Sequence, residues 1–488
     1  MSTKITLSQK TEATLDTKYT RIIITKDSVS THRFVETADG TTEYRQGGGK
    51  WEEVTPRTLR TLIRSVVQSL KSHKVEHASI ALERENFPKL HQYDETWFAS
   101  TIAENLALAA YDYTVYKSKP DTKHTLKEIV VLLQNTAAAK AGFTRGSIVG
   151  ECTNTARDIA NTHGDDLTPK ALGAMAKKLA VGTKVSVKVL GLAEIKKQKL
   201  NLVEAVGKGS HNEPQFIVME YWGKRKLNIE NGIEKSKATK EKIKDDEKPL
   251  VLIGKGITYD TGGLNVKPSG AMHDMHMDMS GGSSVMAAIV AASRLGIKKN
   301  IIALIPAAEN AISSRSMRAG DIVTSLSGTT VEILHTDAEG RLVLADALTY
   351  STRFNPRAIV DVATLTGAAL VALGQQASAV MTRDQNLETT LRALGEESGD
   401  LVWPLPLWDE YKGSLKSARA DISNIATNFA KWGGAIEGGM FLDAFAPKNI
   451  PWAHLDIAPR MDSIPSDKLA KGATGEPVRL LIKWLETY

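Results

Sequence analysis

Short apolar runs rich in β-branched residues alternate along the chain with longer stretches whose apolar positions recur at helical spacing. In the first third, residues 21–26 (RIIITK), 77–82 and 128–133 (EIVVLL) read as buried strands. Between them, residues 55–73 and 94–113 carry apolar side chains at a period of about 3.6 behind Thr or Asp caps. Leu59, Leu62, Ile63, Val66 and Leu70 share one face. The pattern predicts an α/β unit over residues 1–142. It holds no acidic or histidine cluster of ligand spacing, so it reads as an assembly domain. Residues 143–161 predict one long helix, followed by the polar turn at 163–166. The stretch 143–164 is therefore expected to link the first unit to a second domain over 165–488.

That second domain begins with a helix at 168–179, a strand at 184–190, a helix at 193–200 and a strand at 215–221. The lysine-rich segment 224–248 has mixed charges and few large apolar residues, which predicts a solvated loop. Strands are then expected at 249–254, 301–305, 331–334 and 358–363, with helices at 283–295 and 341–353. Strands joined through helices imply right-handed crossovers, giving an α/β/α catalytic domain around a mostly parallel mixed sheet. In such sheets ligands bind beyond the carboxyl ends of the strands.

Composition narrows the class. The chain has 488 residues, 62 Lys+Arg against 56 Asp+Glu, and one cysteine, Cys152. A lone thiol makes no intrachain disulfide and favours a reducing compartment. No apolar run approaches the ~20 residues that span a bilayer, and the start MSTKITLSQK lacks the apolar core of a signal peptide. These features predict a cytoplasmic protein without membrane contact. A net charge of +6 is mild for this length and argues against specific nucleic-acid binding.

Four carboxylates stand in loops that this topology would bring together: Asp260, Asp278, Asp337 and Glu339. Asp260 ends GKGITYD, Asp278 lies in MHMDMSGG, and Asp337 and Glu339 lie in HTDAEGRL, all beside glycines. Each acid taken alone could be a turn or helix cap. Converging carboxylates repel one another, and divalent cations relieve that repulsion. Two ions about 3.5–4 Å apart suit such a cluster. Lys255, Lys267 and Arg341 sit among the acids. Lys255 lies between glycines past an apolar strand, where burial beside a dication would depress its ammonium pKa.

These segments, with TLTGA at 364–368 and GATGEPVR at 472–479, closely resemble the leucyl aminopeptidase family of two-metal exopeptidases. The family octapeptide Asn-Thr-Asp-Ala-Glu-Gly-Arg-Leu matches here from Thr336 to Leu342, with His335 in place of its Asn. The resemblance implies Lys255, Asp260, Asp278 and Glu339 as ligands of a tightly held ion. It implies Asp260, Asp337 and Glu339 for a more exchangeable one. Zn²⁺ or Mn²⁺ fits such a donor set. It further implies that Lys267 polarises the scissile carbonyl and that Arg341 holds a bicarbonate general base. The pocket for the first substrate side chain maps to Met275, Thr364, Gly367, Ala470 and Ala473, beside Asp278 and Lys267. An apolar pocket there suits peptides beginning with Leu or another apolar residue. Family members assemble as homohexamers, two trimers enclosing the sites.

Departures from the pattern spare every implied ligand. His335 is expected to shape its loop, and His276 and Ser280 replace a usual lysine and glycine. His273, Asp274 and His276 read as an ordinary polar loop. Two other functions compete: two-metal phosphoester hydrolysis, and DNA binding through the basic 224–248 segment. The first lacks phosphate clamps, and the second lacks a groove-reading element.

Overall fold

Thr55 and Asp94 each accept a backbone N–H of the turn that follows, from Thr58 and Trp97, and so start the helices Pro56–Ser72 and Glu95–Ala110. The structure is a computed structural model that describes residues 3–8, 15–119, 126–224, 229–230, 233–234, 244–428 and 432–488. The chain divides into two compact units, Met1–Asn154 with Ser463–Lys471, and Thr155–Asp462 with Gly472–Tyr488.

The first unit contains a six-stranded sheet in the order Lys4–Ser8, Glu128–Leu132, His77–Ala81, Thr20–Thr25, Thr42–Gly47, His32–Glu36. Every pair is parallel except the last. Leu59, Ile63, Val66 and Leu70 pack with Ile22, Ile80, Ile129 and Phe98 in one core. Each such buried side chain contributes about 1.5–3 kcal/mol. Three strands escape the sequence pattern: Lys4–Ser8, His32–Glu36 and Thr42–Gly47. The first two form the sheet edges, and the last two are too polar to read as buried strands.

The long helix runs over Ala137–Ala160, starting earlier than its periodicity suggests. Thr136 Oγ1 accepts the Ala139 N–H at 3.0 Å, and the alanines at 137–139 extend the helix at little entropic cost.

The second unit is built on a nine-stranded mixed sheet. Its order is Val402–Pro404, Ser378–Thr382, Trp452–Asp456, Ala358–Ala363, Leu250–Gly254, Asn300–Asn310, Gln215–Trp222, Val185–Leu190, and Gly256–Asp260 also pairs with Asn300–Asn310. The four central strands from Trp452–Asp456 to Asn300–Asn310 run parallel. The flanking pairs with Ser378–Thr382, Gln215–Trp222 and Val185–Leu190 are antiparallel. Leu250–Gly254 and Ala358–Ala363 are buried at every position, as strands covered on both faces must be. Helix Gly340–Ser351 packs Leu342, Val343 and Ala345 against Val251, Ile253, Ile302 and Leu304. Helix Ser280–Leu295 lies against the same strands and against helix Val478–Thr487.

Three expectations need correction. The strand expected at 331–334 is Thr330–Glu332, and it belongs to a separate small sheet with Ile322–Thr324 and Ile422–Ser423. The helix expected at 193–200 ends at Lys197, because Lys199 turns to a φ of 60°, and a second helix follows at Asn201–Gly207. The strand expected at 301–305 continues to Asn310, carrying Glu309 and Asn310 to its carboxyl end. Most of the lysine-rich segment lies outside the described residues. Within it, Ile229–Glu230 pairs antiparallel with Ile233–Glu234.

Candidate active site

Gly254, Asn310 and Ala363 end neighbouring strands of the large sheet, and the polar residues of the candidate site start from there. Lys255 leaves the first of these and is 3 % exposed. Its Nζ donates to Asp278 Oδ1 at 2.7 Å and to the Thr364 carbonyl at 3.0 Å, and pairs with Glu339 Oε1 at 2.9 Å. Thr364 in turn donates its hydroxyl to Asp278 Oδ1 at 2.7 Å. Lys267 pairs with Asp260 Oδ2 at 2.8 Å and Asp337 Oδ1 at 2.5 Å. Asp260, Asp337 and Glu339 each offer a carboxylate oxygen within 4.8 Å of the others. Asp278 joins them through Lys255. All four acids predicted from sequence therefore converge with both lysines.

None of the acids is spent as a helix cap. Glu339 immediately precedes helix Gly340–Ser351 but makes no side-chain capping bond. Its Oε2 is buried without a hydrogen bond, and so are Asp278 Oδ2 and Asp337 Oδ1 by bond geometry, although ammonium groups lie within ion-pair distance of the last two. Buried carboxylate oxygens without donors are costly. Oxygens of this kind, pooled in one place, fit a hard divalent cation.

Electrostatics point the same way. Burial, with the charges of Asp260 and Glu339, pushes the Asp278 carboxyl far above the usual range. Burial and the charges of Asp260 and Asp337 push Glu339 up to about 7, against the pull of Lys255 and Lys267. Asp337 is raised by burial and by Asp260. Burial works against the charge on Lys255, but Asp278, Glu339 and Asp260 outweigh it and hold the ammonium above the usual lysine range. Lys267 behaves likewise, with Asp260 and Asp337 outweighing burial.

Arg341 is buried on the first turn of helix Gly340–Ser351, its Nη1 donating to the Asn424 carbonyl at 2.7 Å. Its Nε is buried without a partner. Burial lowers its pKa, while Glu339, Glu437 and Asp456 oppose that effect. His335 accepts the Asp337 N–H on Nδ1 at 3.2 Å. Burial, with Lys267 and Arg341, lowers its pKa against the opposing pull of Glu339. His276 stacks on His163 with centroids 5.7 Å apart, and His273 pairs with Asp274 at 3.1 Å.

The residues expected to line the side-chain pocket are placed unevenly. Thr364 is buried against Asp278, Met275 is half-buried at the start of the turn that carries Asp278, and Gly367 is exposed. Ala473 is buried with its backbone held by Asn161 and Arg157. Ala470 falls in the segment Ser463–Lys471 of the first unit. Sequence reasoning passed over Asn265, Asn310, Asn424 and Asp456. Asp456 accepts the Leu365 N–H at 3.0 Å and the Thr366 hydroxyl at 2.6 Å, fixing the loop that holds Thr364. The available signal was position: Asn310 and Asp456 each end an apolar strand.

A family model for the catalytic domain of the cytosol aminopeptidase family matches residues 154–482, and one for its N-terminal domain matches 47–120. The chain belongs to the cytosol aminopeptidase family. A probable cytosol aminopeptidase of Albidiferax ferrireducens is 42 % identical over 381 residues, covering 78 % of this chain and 74 % of that protein. One from Azoarcus sp. is 39 % identical over 442 residues, covering 90 % and 83 %. Among solved structures, the bottromycin maturation enzyme BotP in complex with Mn superposes with a TM-score of 0.80 at 31 % identity, covering 96 % of this chain and 98 % of that one. Family membership makes the protein an aminopeptidase hydrolase. Among the described residues, no helix is long and apolar enough to cross a membrane.

Proposed function

We propose that this aminopeptidase is a leucyl aminopeptidase of the cytoplasm that removes N-terminal Leu and other apolar residues from peptides. Its reaction depends on two divalent cations, Zn²⁺ or Mn²⁺, held by Lys255, Asp260, Asp278, Asp337 and Glu339. The observation that carries the reading is the convergence of Asp260, Asp337 and Glu339 within 4.8 Å, with Glu339 Oε2 buried and without a hydrogen bond. The manganese in the BotP structure supports it. Bound cations supply Lewis-acid activation of water and of the peptide carbonyl.

The side chains around that centre divide the remaining work. Lys267, held charged at the rim of the cluster, donates to the scissile carbonyl oxygen, where negative charge develops. Arg341 would hold bicarbonate, to which its unpartnered Nε is a fitting donor, and bicarbonate would supply the general base. Thr364 keeps Asp278 in place, and Met275 and Gly367 border the first side chain of the substrate. The chain works as a homohexamer of two trimers, which admits peptides and excludes folded proteins.

The purified protein, loaded with Mn²⁺, is expected to hydrolyse Leu-p-nitroanilide and to leave p-nitrophenyl phosphate intact. Light scattering is expected to give six times the chain mass. Phosphatase activity without amidase activity would sink the functional reading.

A further inference from the structure

Two buried asparagines grip the loop that carries Asp337 and Glu339, and they grip it from different places. Asn310, at the end of strand Asn300–Asn310, is 2 % exposed. One amide group serves two acceptors: Nδ2 donates to Asp260 Oδ1 at 2.8 Å and to the Thr336 carbonyl at 3.1 Å. Gly262 N–H donates to the same Asp260 oxygen at 2.9 Å. With Oδ1 taken by two donors, Asp260 turns Oδ2 toward Lys267 and the other acids. The orientation of the carboxylate is therefore set by a neutral donor that carries no charge into the cluster.

Asn424 is fully buried and approaches the loop on its other side. Its Oδ1 accepts the N–H groups of Leu334 and His335 at 2.8 and 3.3 Å. Its Nδ2 donates to the carbonyls of His335 and Ala338 at 2.7 and 3.4 Å. Its own carbonyl receives Arg341 Nη1 at 2.7 Å. The Arg341 contact uses the main-chain carbonyl, whereas the four contacts to the loop need the side-chain amide. An aspartate has the acceptors but not the donors, and an alanine has neither.

We propose that Asn310 and Asn424 are positioning residues of the metal centre with separable tasks. Asn310 orients Asp260 for cation binding, and Asn424 sets the loop and Arg341 for turnover. The proposal rests on the di-metal aminopeptidase reading above. Outer donors that orient a metal ligand are worth about 10–100-fold in affinity. A donor that fixes a group acting on the substrate shows instead in kcat.

The test uses the full chain, stripped with a chelator and titrated with Mn²⁺ by calorimetry, followed by Leu-p-nitroanilide kinetics at saturating Mn²⁺. Asn310→Ala is expected to raise the Mn²⁺ dissociation constant about 10–100-fold, while kcat at saturation stays within a few-fold of wild type. Asn424→Asp, which loses the donors to the His335 and Ala338 carbonyls, is expected to lower kcat at saturating Mn²⁺ about 10-fold or more. Asn310→Ser and Asn424→Ser serve where a first variant fails to fold, judged by melting of the metal-free protein. Wild-type values in both variants would overturn the proposal. So would a matching loss of affinity and kcat that follows the melting temperature, because that pattern belongs to stability alone. If the wild type binds Mn²⁺ but does not cleave the amide, the functional reading fails, while the Mn²⁺ titration still decides the role of Asn310.

Discussion

A methyl group at Gly340 would lie 2.6 Å from Lys255 Cε and 2.8 Å from its Nζ. Lys255 has nowhere to retreat, because Asp278, Glu339 and the Thr364 carbonyl hold its ammonium on three sides. Gly340→Ala is therefore expected to displace that ammonium and lower kcat/KM on Leu-p-nitroanilide by about 100-fold. Wild-type kinetics in a folded Gly340→Ala protein would contradict this geometry. The acids and lysines of the site were legible in sequence because they stand in glycine-containing segments after apolar strands, and those segments resemble a family pattern. The asparagines were not. A single Asn at a strand end or in a loop reads as a turn former, and only the fold reveals which backbone groups it meets.

Among the elements, helix Gly340–Ser351 is tied to its neighbours by one buried acid. Asp346 accepts the N–H groups of Leu202 and Val203 at 2.8 and 3.3 Å and that of Leu326 at 2.8 Å. It thereby satisfies the first turn of helix Asn201–Gly207, which has no side-chain cap of its own. Burial pushes the Asp346 carboxyl up to about 7, although the three N–H groups favour its charge. A carboxyl raised in the folded state holds a proton there that the unfolded chain has released. Its contribution is complete below about pH 4 and is lost as pH rises through about 7. Denaturant melts of wild type and Asp346→Asn are expected to diverge accordingly. Between pH 5 and 8 the wild type should lose about 1–3 kcal/mol relative to the variant. A constant difference across that range would show that Asp346 stays ionised in the fold. Helix Gly340–Ser351 itself was legible from its apolar spacing, whereas helix Asn201–Gly207 lies beyond the helix expected at 193–200 and was not read. The break lies in the positive φ of Lys199, a residue that gives no sequence signal for it.

At the scale of the whole molecule, the α/β alternation and the carboxyl-end location of the site followed from sequence, because central strands buried on both faces must be continuous apolar runs. Strand order and the antiparallel flanks did not follow, since pairing partners are chosen by long-range packing. Nor did the return of Ser463–Lys471 to the first unit, which no local pattern marks. The family's two domain models match 47–120 and 154–482, the second running through Ser463–Lys471. On the proposed reading, loops at the carboxyl ends of one sheet gather acids to hold two cations for peptide hydrolysis. Elemental analysis after dialysis against Mn²⁺, paired with Leu-p-nitroanilide turnover, tests it most directly in wild type and Asp337→Ala. The account predicts about two ions per wild-type chain, and loss of one ion with nearly all turnover in the variant. Full turnover in Asp337→Ala, or an active wild type with no bound ion, would contradict it.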